Sequence, residues 1–173
     1  MLALSTLAAL ETTGCIVADA PEYGSPSRSP ISIFNPDPNP GSVQLLTRQP
    51  IPPSKAFGAT VKSEDAGEQI FAALFLDYKH EGERKFDSQV LQPLTIEQER
   101  NVRFVLTPSS DFPESNPCHT ITLLITHLSS WDQFTNQFTG PADDLASVTW
   151  FVTIDDDGTT PIARCPSTAN EMP

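Results

Sequence analysis

The residues of this 173-residue chain that could do chemistry are three histidines (His80, His119, His127), three cysteines (Cys15, Cys118, Cys165) and a set of clustered aspartates. The densest carboxylate run is Asp155-Asp156-Asp157-Gly158, with Asp143 and Asp144 some ten residues earlier. Hard oxygen ligands on a turn suit calcium, but a full loop takes about six to eight oxygens, and the spaced acids and later glutamate of an EF-hand are missing. Asp-Gly is also a common turn pair and clustered carboxylates solubilise a surface, so the expectation is a solvated turn. Asp155, Asp156 and Asp157 stay as weak metal candidates.

The adjacent pair Cys118-His119 invites a nucleophile and base. Neighbours on a strand point to opposite faces, however, so the two cannot easily share a hydrogen bond. His119 and His127 can share a strand face, but eight residues at ~3.3 Å each put them about 26 Å apart, too far for one metal. No Gly-rich phosphate loop, nucleophile elbow or zinc-binding helix motif is present. Carboxylate pairs for glycoside hydrolysis are set by the fold and not by spacing. No catalytic residue and no cofactor is assigned.

The elements that must position these groups are strands. In Gln69 to Tyr78 one face carries Ile70, Ala72, Leu74, Leu76 and Tyr78, and the other carries Phe71, Ala73 and Phe75. A strand apolar on both faces belongs inside a sheet or sandwich. Val102, Phe104 and Leu106 alternate in the next run. His119, Ile121, Leu123, Ile125 and His127 share a face after that, and Val148, Trp150, Val152 and Ile154 share one in the last. Weaker strands are expected at Val43 to Leu46, Gly58 to Lys62 and Lys85 to Leu91. Lys79 to Lys85 bracket Gly82 and fit a solvated hairpin tip. About seven strands without an alternating amphipathic helix predict an all-β, antiparallel immunoglobulin-like β-sandwich.

Between His127 and Ser147 lies a long connection carrying Trp131, Phe134 and Phe138 at spacings of three and four. That spacing predicts one short helix aligning the three rings. They either cap an end of the sandwich or form a contact surface. Capping is expected for Phe134 and Phe138, and partial exposure for Trp131.

Seventeen prolines, about twice the usual share, exclude a largely helical chain. Nine of them lie between Ile16 and Ser54, so this stretch reads as an extended, polyproline-like tether, with Ile31, Ile33 and Phe34 able to dock as an edge strand. A net charge of −12 argues against nucleic acid and anionic membrane surfaces as partners. No apolar run reaches the ~20 residues that span a bilayer.

The apolar run Met1 to Leu10 leads to Thr13-Gly14-Cys15. This resembles the signal peptide and lipobox of bacterial lipoproteins, although Thr12 stands three before the cysteine and no Lys or Arg precedes the apolar run. The resemblance implies cleavage before Cys15, lipidation of Cys15 and, with Ile16 next, delivery to the outer membrane. It covers only about fifteen residues. The expected organisation is a signal peptide over 1–14, a lipidated tether over 15–40, the sandwich over 41–166 and a tail over 167–173. In an exported chain the remaining Cys118 and Cys165 are expected to form a disulfide, closing a 48-residue loop for about 4 kcal/mol. The function expected is a non-enzymatic, membrane-anchored module contacting an envelope protein or glycan. A hydrolytic or metal-dependent enzyme, or an accessory subunit of an envelope complex, is the alternative.

Overall fold

A computed structural model of the chain describes residues 29–47, 54–65, 67–80, 82–93, 99–107, 112 and 118–155. Ten strands run in chain order: β1 (Ser32–Asp37), β2 (Gln44–Thr47), β3 (Lys55–Lys62), β4 (Ile70–Leu76), β5 (Arg84–Leu91), β6 (Glu99–Leu106), β7 (Cys118–His127), β8 (Trp131–Asp132), β9 (Gln137–Phe138) and β10 (Leu145–Asp155). They form a three-stranded sheet β1-β3-β6, a five-stranded sheet β2-β10-β7-β4-β5 and the small hairpin β8-β9. The chain crosses between the two larger sheets after β1, β2, β3, β5 and β6, which is the Greek-key winding of an immunoglobulin-like sandwich. The fold class is the expected one.

Alternation builds the core. On β6, Arg100, Val102, Phe104 and Leu106 face inward while Glu99, Asn101, Arg103 and Val105 face out. Opposite them, β7 contributes Ile121, Leu123 and Ile125, β4 contributes Ile70, Ala72, Leu74 and Leu76, and β10 contributes Trp150, Val152 and Ile154. Trp150 is fully buried edge-on to Phe57, their ring centroids 5.3 Å apart. Its indole N–H donates to the carbonyl of Pro38, satisfying the one polar group the ring carries inside.

Four features differ from the expectation. The sandwich begins before residue 41, because β1 pairs antiparallel with β3 from Ser32 opposite Lys62 to Asp37 opposite Gly58. Pro36 is tolerated there because β1 is an edge strand, where a missing amide costs no ladder bond. One pair is parallel, β2 lying beside the end of β10 with Gln44 opposite Val152.

The connection after β7 holds no amphipathic helix. A single 3-10 turn (Leu128–Ser130), the β8-β9 hairpin and a second 3-10 turn (Ala142–Asp144) occupy it instead. Trp131 pairs across to Phe138, so period-two geometry overrides the three-and-four spacing. Finally, the hairpin does not cap an end. It lies on the outer face of the five-stranded sheet, where Trp131 packs with Phe71, Ala73, Phe75 and Leu124. This second apolar cluster explains why β4 is apolar on both faces.

Candidate functional site

β7 carries one histidine at each end of its inward face, and each meets an aspartate. At the Cys118 end, His119 Nδ1 lies 2.7 Å from Asp77 Oδ2. Asp77 sits just past β4 at a positive φ of 48°, and its other oxygen accepts the Thr120 amide at 2.8 Å. Burial raises the Asp77 pKa, but hydrogen bonds from His119 and Thr120 and attraction to His119 outweigh it, so the carboxyl lies below its ordinary value. His119 Nε2 is buried with no hydrogen-bond partner among the described residues, and the ring packs at 5.5 Å on Phe112.

At the other end, His127 Nδ1 is hydrogen-bonded to Asp144 Oδ1, and His127 Nε2 lies 2.9 Å from Ser63 Oγ. Ser63, His127 and Asp144 are each no more than 2% exposed. Ser63 follows β3, His127 ends β7 and Asp144 ends the second 3-10 turn, so the trio joins both sheets and the long connection. Ser63 Oγ also accepts the Asp65 amide at 3.2 Å, and Asp65 Oδ2 lies 3.6 Å from His127 Nε2. Thr126 Oγ1 donates to Asp144 Oδ2 at 3.3 Å.

A serine hydroxyl on one imidazole nitrogen and a carboxylate on the other is the connectivity that activates a serine nucleophile. Here the serine is covered, and one of its lone pairs is spent on a backbone amide. The arrangement therefore ties three segments together around a fully satisfied imidazole.

Arg100 enters the same end of the core from β6. Its Nη1 donates to the carbonyls of Glu68 at 2.9 Å and Leu91 at 3.3 Å. Its Nε and Nη2 are buried without a hydrogen-bond partner among the described residues. Burial lowers its pKa, yet an arginine guanidinium holds its proton so firmly that it stays charged. A cavity of about 530 Å³ lies nearby, walled by Glu68, Gln69, Gln92 and Leu128 among others.

The β8-β9 hairpin shapes a second concavity. Asp132 Oδ1 accepts the amides of Phe134 at 2.8 Å and Thr135 at 3.3 Å, which closes the tip. The Thr135 hydroxyl and these two amides hold the Asp132 pKa below its ordinary value. Phe134 projects from this tip, 98% exposed. Lys85 Nζ donates to Asn136 Oδ1 and fastens the tip to edge strand β5. Between hairpin and β5 lies a cavity of about 270 Å³, lined by Phe71, Val90 and Trp131 with Lys85, Ser88, Gln133 and Asn136 around them.

Of the residues singled out in the sequence, Trp131 is 7% exposed, Phe138 is half-buried and Phe134 stands free. This inverts the expected roles: Trp131 covers the core and Phe134 does not cap it. The reason is the hairpin, whose paired positions face the sheet while its turn faces water. Cys118 opens β7, half-buried. Cys15, Cys165, Asp156, Asp157 and the Asp155 side chain lie outside the described residues. Among the described residues no cluster of three or more His, Cys, Asp or Glu side chains is arranged to hold a metal. Asp144, expected in a solvated acidic surface, is buried on His127 instead.

Sequence reasoning passed over the Ser63, His127 and Asp144 trio. Ser63 and His127 are 64 residues apart, and no local pattern marks them as partners. The signal that was available is a histidine on an otherwise apolar strand face, which needs a polar partner once buried.

Fold and site together define an immunoglobulin-like β-sandwich with two histidine–aspartate pairs, one fully buried and one with a half-buried aspartate, and a hairpin laid on its outer face. No protein-family model and no curated protein matches the chain. Among solved structures, the CARDB domain of the PF1109 protein from Pyrococcus furiosus, described in complex with di-metal ions, is similar at a TM-score of 0.42 and 9% identity, over 76% of this chain and 100% of that one.

Proposed function

We propose that the protein is a non-enzymatic binding module held at a bacterial envelope membrane by lipid on Cys15, with the β8-β9 hairpin as its contact face. The observation that carries the binding role is Phe134, a large apolar side chain left 98% exposed on a tip that is otherwise tightly built. An exposed aromatic on a braced loop is the kind of residue that anchors recognition. The membrane anchor rests on the resemblance of the Met1 to Cys15 segment to a lipoprotein signal, and the outer membrane is the proposed destination.

The Cys118 to Cys165 disulfide belongs to the same proposal. The ladder that sets Thr153 opposite Cys118 brings the end of β10 beside Cys118, so a tail of about ten residues has only to fold back. A metabolic label with an alkyne fatty acid tests the anchor: wild type is marked and Cys15→Ala is not. Equal labelling of both removes the anchor from the reading.

A second reading, a serine hydrolase, is favoured by one observation, the Ser63, His127 and Asp144 connectivity. In it Ser63 Oγ would attack a carbonyl while His127 Nε2 takes its proton and Asp144 orients the ring. A fluorophosphonate probe separates the two readings. Covalent labelling lost in Ser63→Ala establishes the hydrolase, and absence of labelling on the folded protein supports the structural role.

A further inference from the structure

The cavity between the hairpin and β5 has a floor and a rim of different chemistry. Its floor is the stacked pair Phe71 and Trp131, ring centroids 4.6 Å apart at 24°, flanked by Val90, itself 37% exposed. Its rim presents hydrogen-bonding groups, with Lys85 the one charged residue among its lining. In a chain of net charge −12 this ammonium has no carboxylate partner among the described residues. Its hydrogen bond goes to the neutral amide oxygen of Asn136 and leaves two of its three protons unspent. The side chains of Ser88 and Gln133 likewise make no hydrogen bond among the described residues. The nearby Asp132 carboxylate is engaged by the amides of the tip.

At about 270 Å³ the space falls just below the ~300–1,000 Å³ typical of drug-sized ligands, so it suits a single ring. Resting on the reading of this face as a contact surface, the geometry points to a binding site for one sugar ring bearing a carboxylate, a uronic-acid residue. The ring's apolar face lies toward Val90 and the small exposed margins of Phe71 and Trp131, its hydroxyls meet Ser88, Gln133 and Asn136, and its carboxylate accepts from Lys85.

The test is a titration of the ¹⁵N-labelled 173-residue chain with sodium glucuronate, glucose or sodium acetate, followed through the Trp131 indole N–H and the Gln133 and Asn136 amide groups. Glucuronate is expected to shift these signals saturably, with glucose weaker by about tenfold, the worth of one charge-assisted hydrogen bond. Lys85→Gln should bring glucuronate down to the level of glucose. Asn136→Gly, a change that its positive φ of 54° accommodates, should weaken both sugars. Equal binding of glucose and glucuronate overturns the carboxylate, and acetate reproducing the Trp131 shift overturns the ring. A dispersed spectrum that none of the three moves overturns the site altogether. That last result leaves the contact-face reading to its own trial, in which Phe134→Ala affects partner retention and not sugar shifts.

Discussion

His127 and Asp144, seventeen residues apart in the chain, meet inside the protein, the imidazole Nδ1 on one carboxylate oxygen while Thr126 holds the other. Both side chains are essentially inaccessible to water, so removing either strands a buried polar group. Asp144→Ala should therefore cost about 2–3 kcal/mol in urea denaturation at unchanged m-value. Ser63→Ala, which removes a neutral hydroxyl, should cost about 1 kcal/mol. Equal losses from the two variants would show that the carboxylate carries no special share.

Asp77 makes acid stability testable. Its carboxyl lies below the ordinary value in the folded chain, so its contribution is fully present above the unfolded value near ~3.9 and is lost as pH falls through the lower folded value. The stability gap between wild type and Asp77→Asn should be widest above pH ~5 and shrink as the solution is made more acidic. A gap that stays constant down to pH ~2 would mean that the carboxylate is not held by His119 and Thr120.

The hairpin aromatics should divide sharply. Trp131→Ala removes a ring stacked on Phe71 and should cost about 3–5 kcal/mol. Phe134→Ala should change stability by no more than about 0.5 kcal/mol, since that side chain touches mainly water. Thermal or urea unfolding of the two single variants decides this, and a destabilised Phe134→Ala would place that ring against the protein.

Gly58 lies on β3 opposite Arg103 of β6, with no room for a side chain. A Cβ there would sit 2.3 Å from the Val102 carbonyl oxygen, and backbone cannot swing aside as a side chain can. Gly58→Ala should destabilise by about 1–3 kcal/mol or more, with chemical-shift changes concentrated at Val102 and Arg103. An alanine variant as stable as wild type would show that the sheet opens at no cost.

Much of the sandwich could be read from alternation. The seven expected strands all exist, because burial on a pleated surface imposes period two, and the both-faced apolarity of β4 marked it as interior. The β8-β9 hairpin escaped because two-residue strands leave no periodic trace, and rings at positions 131, 134 and 138 fit a helix equally well on paper. β1 was half visible: Ile33 and Phe34 suggested a docked edge, while the surrounding prolines suggested a tether. The histidine pairs were not legible, since Asp77, Ser63 and Asp144 reach β7 only through turns whose direction depends on the finished sheets.

The pairing of β2 with β10 orders events during synthesis. Gln44–Thr47 emerges early, yet its only partner among the described strands is the last one, about a hundred residues later. Until β10 is released, β7 also shows a bare edge opposite β4, and bare edges invite other chains. The five-stranded sheet thus cannot close while the chain is being delivered from its N-terminus, and a product that stops before Leu145 is left with β2 unpaired and one edge of β7 bare, a natural substrate for holding chaperones and proteases.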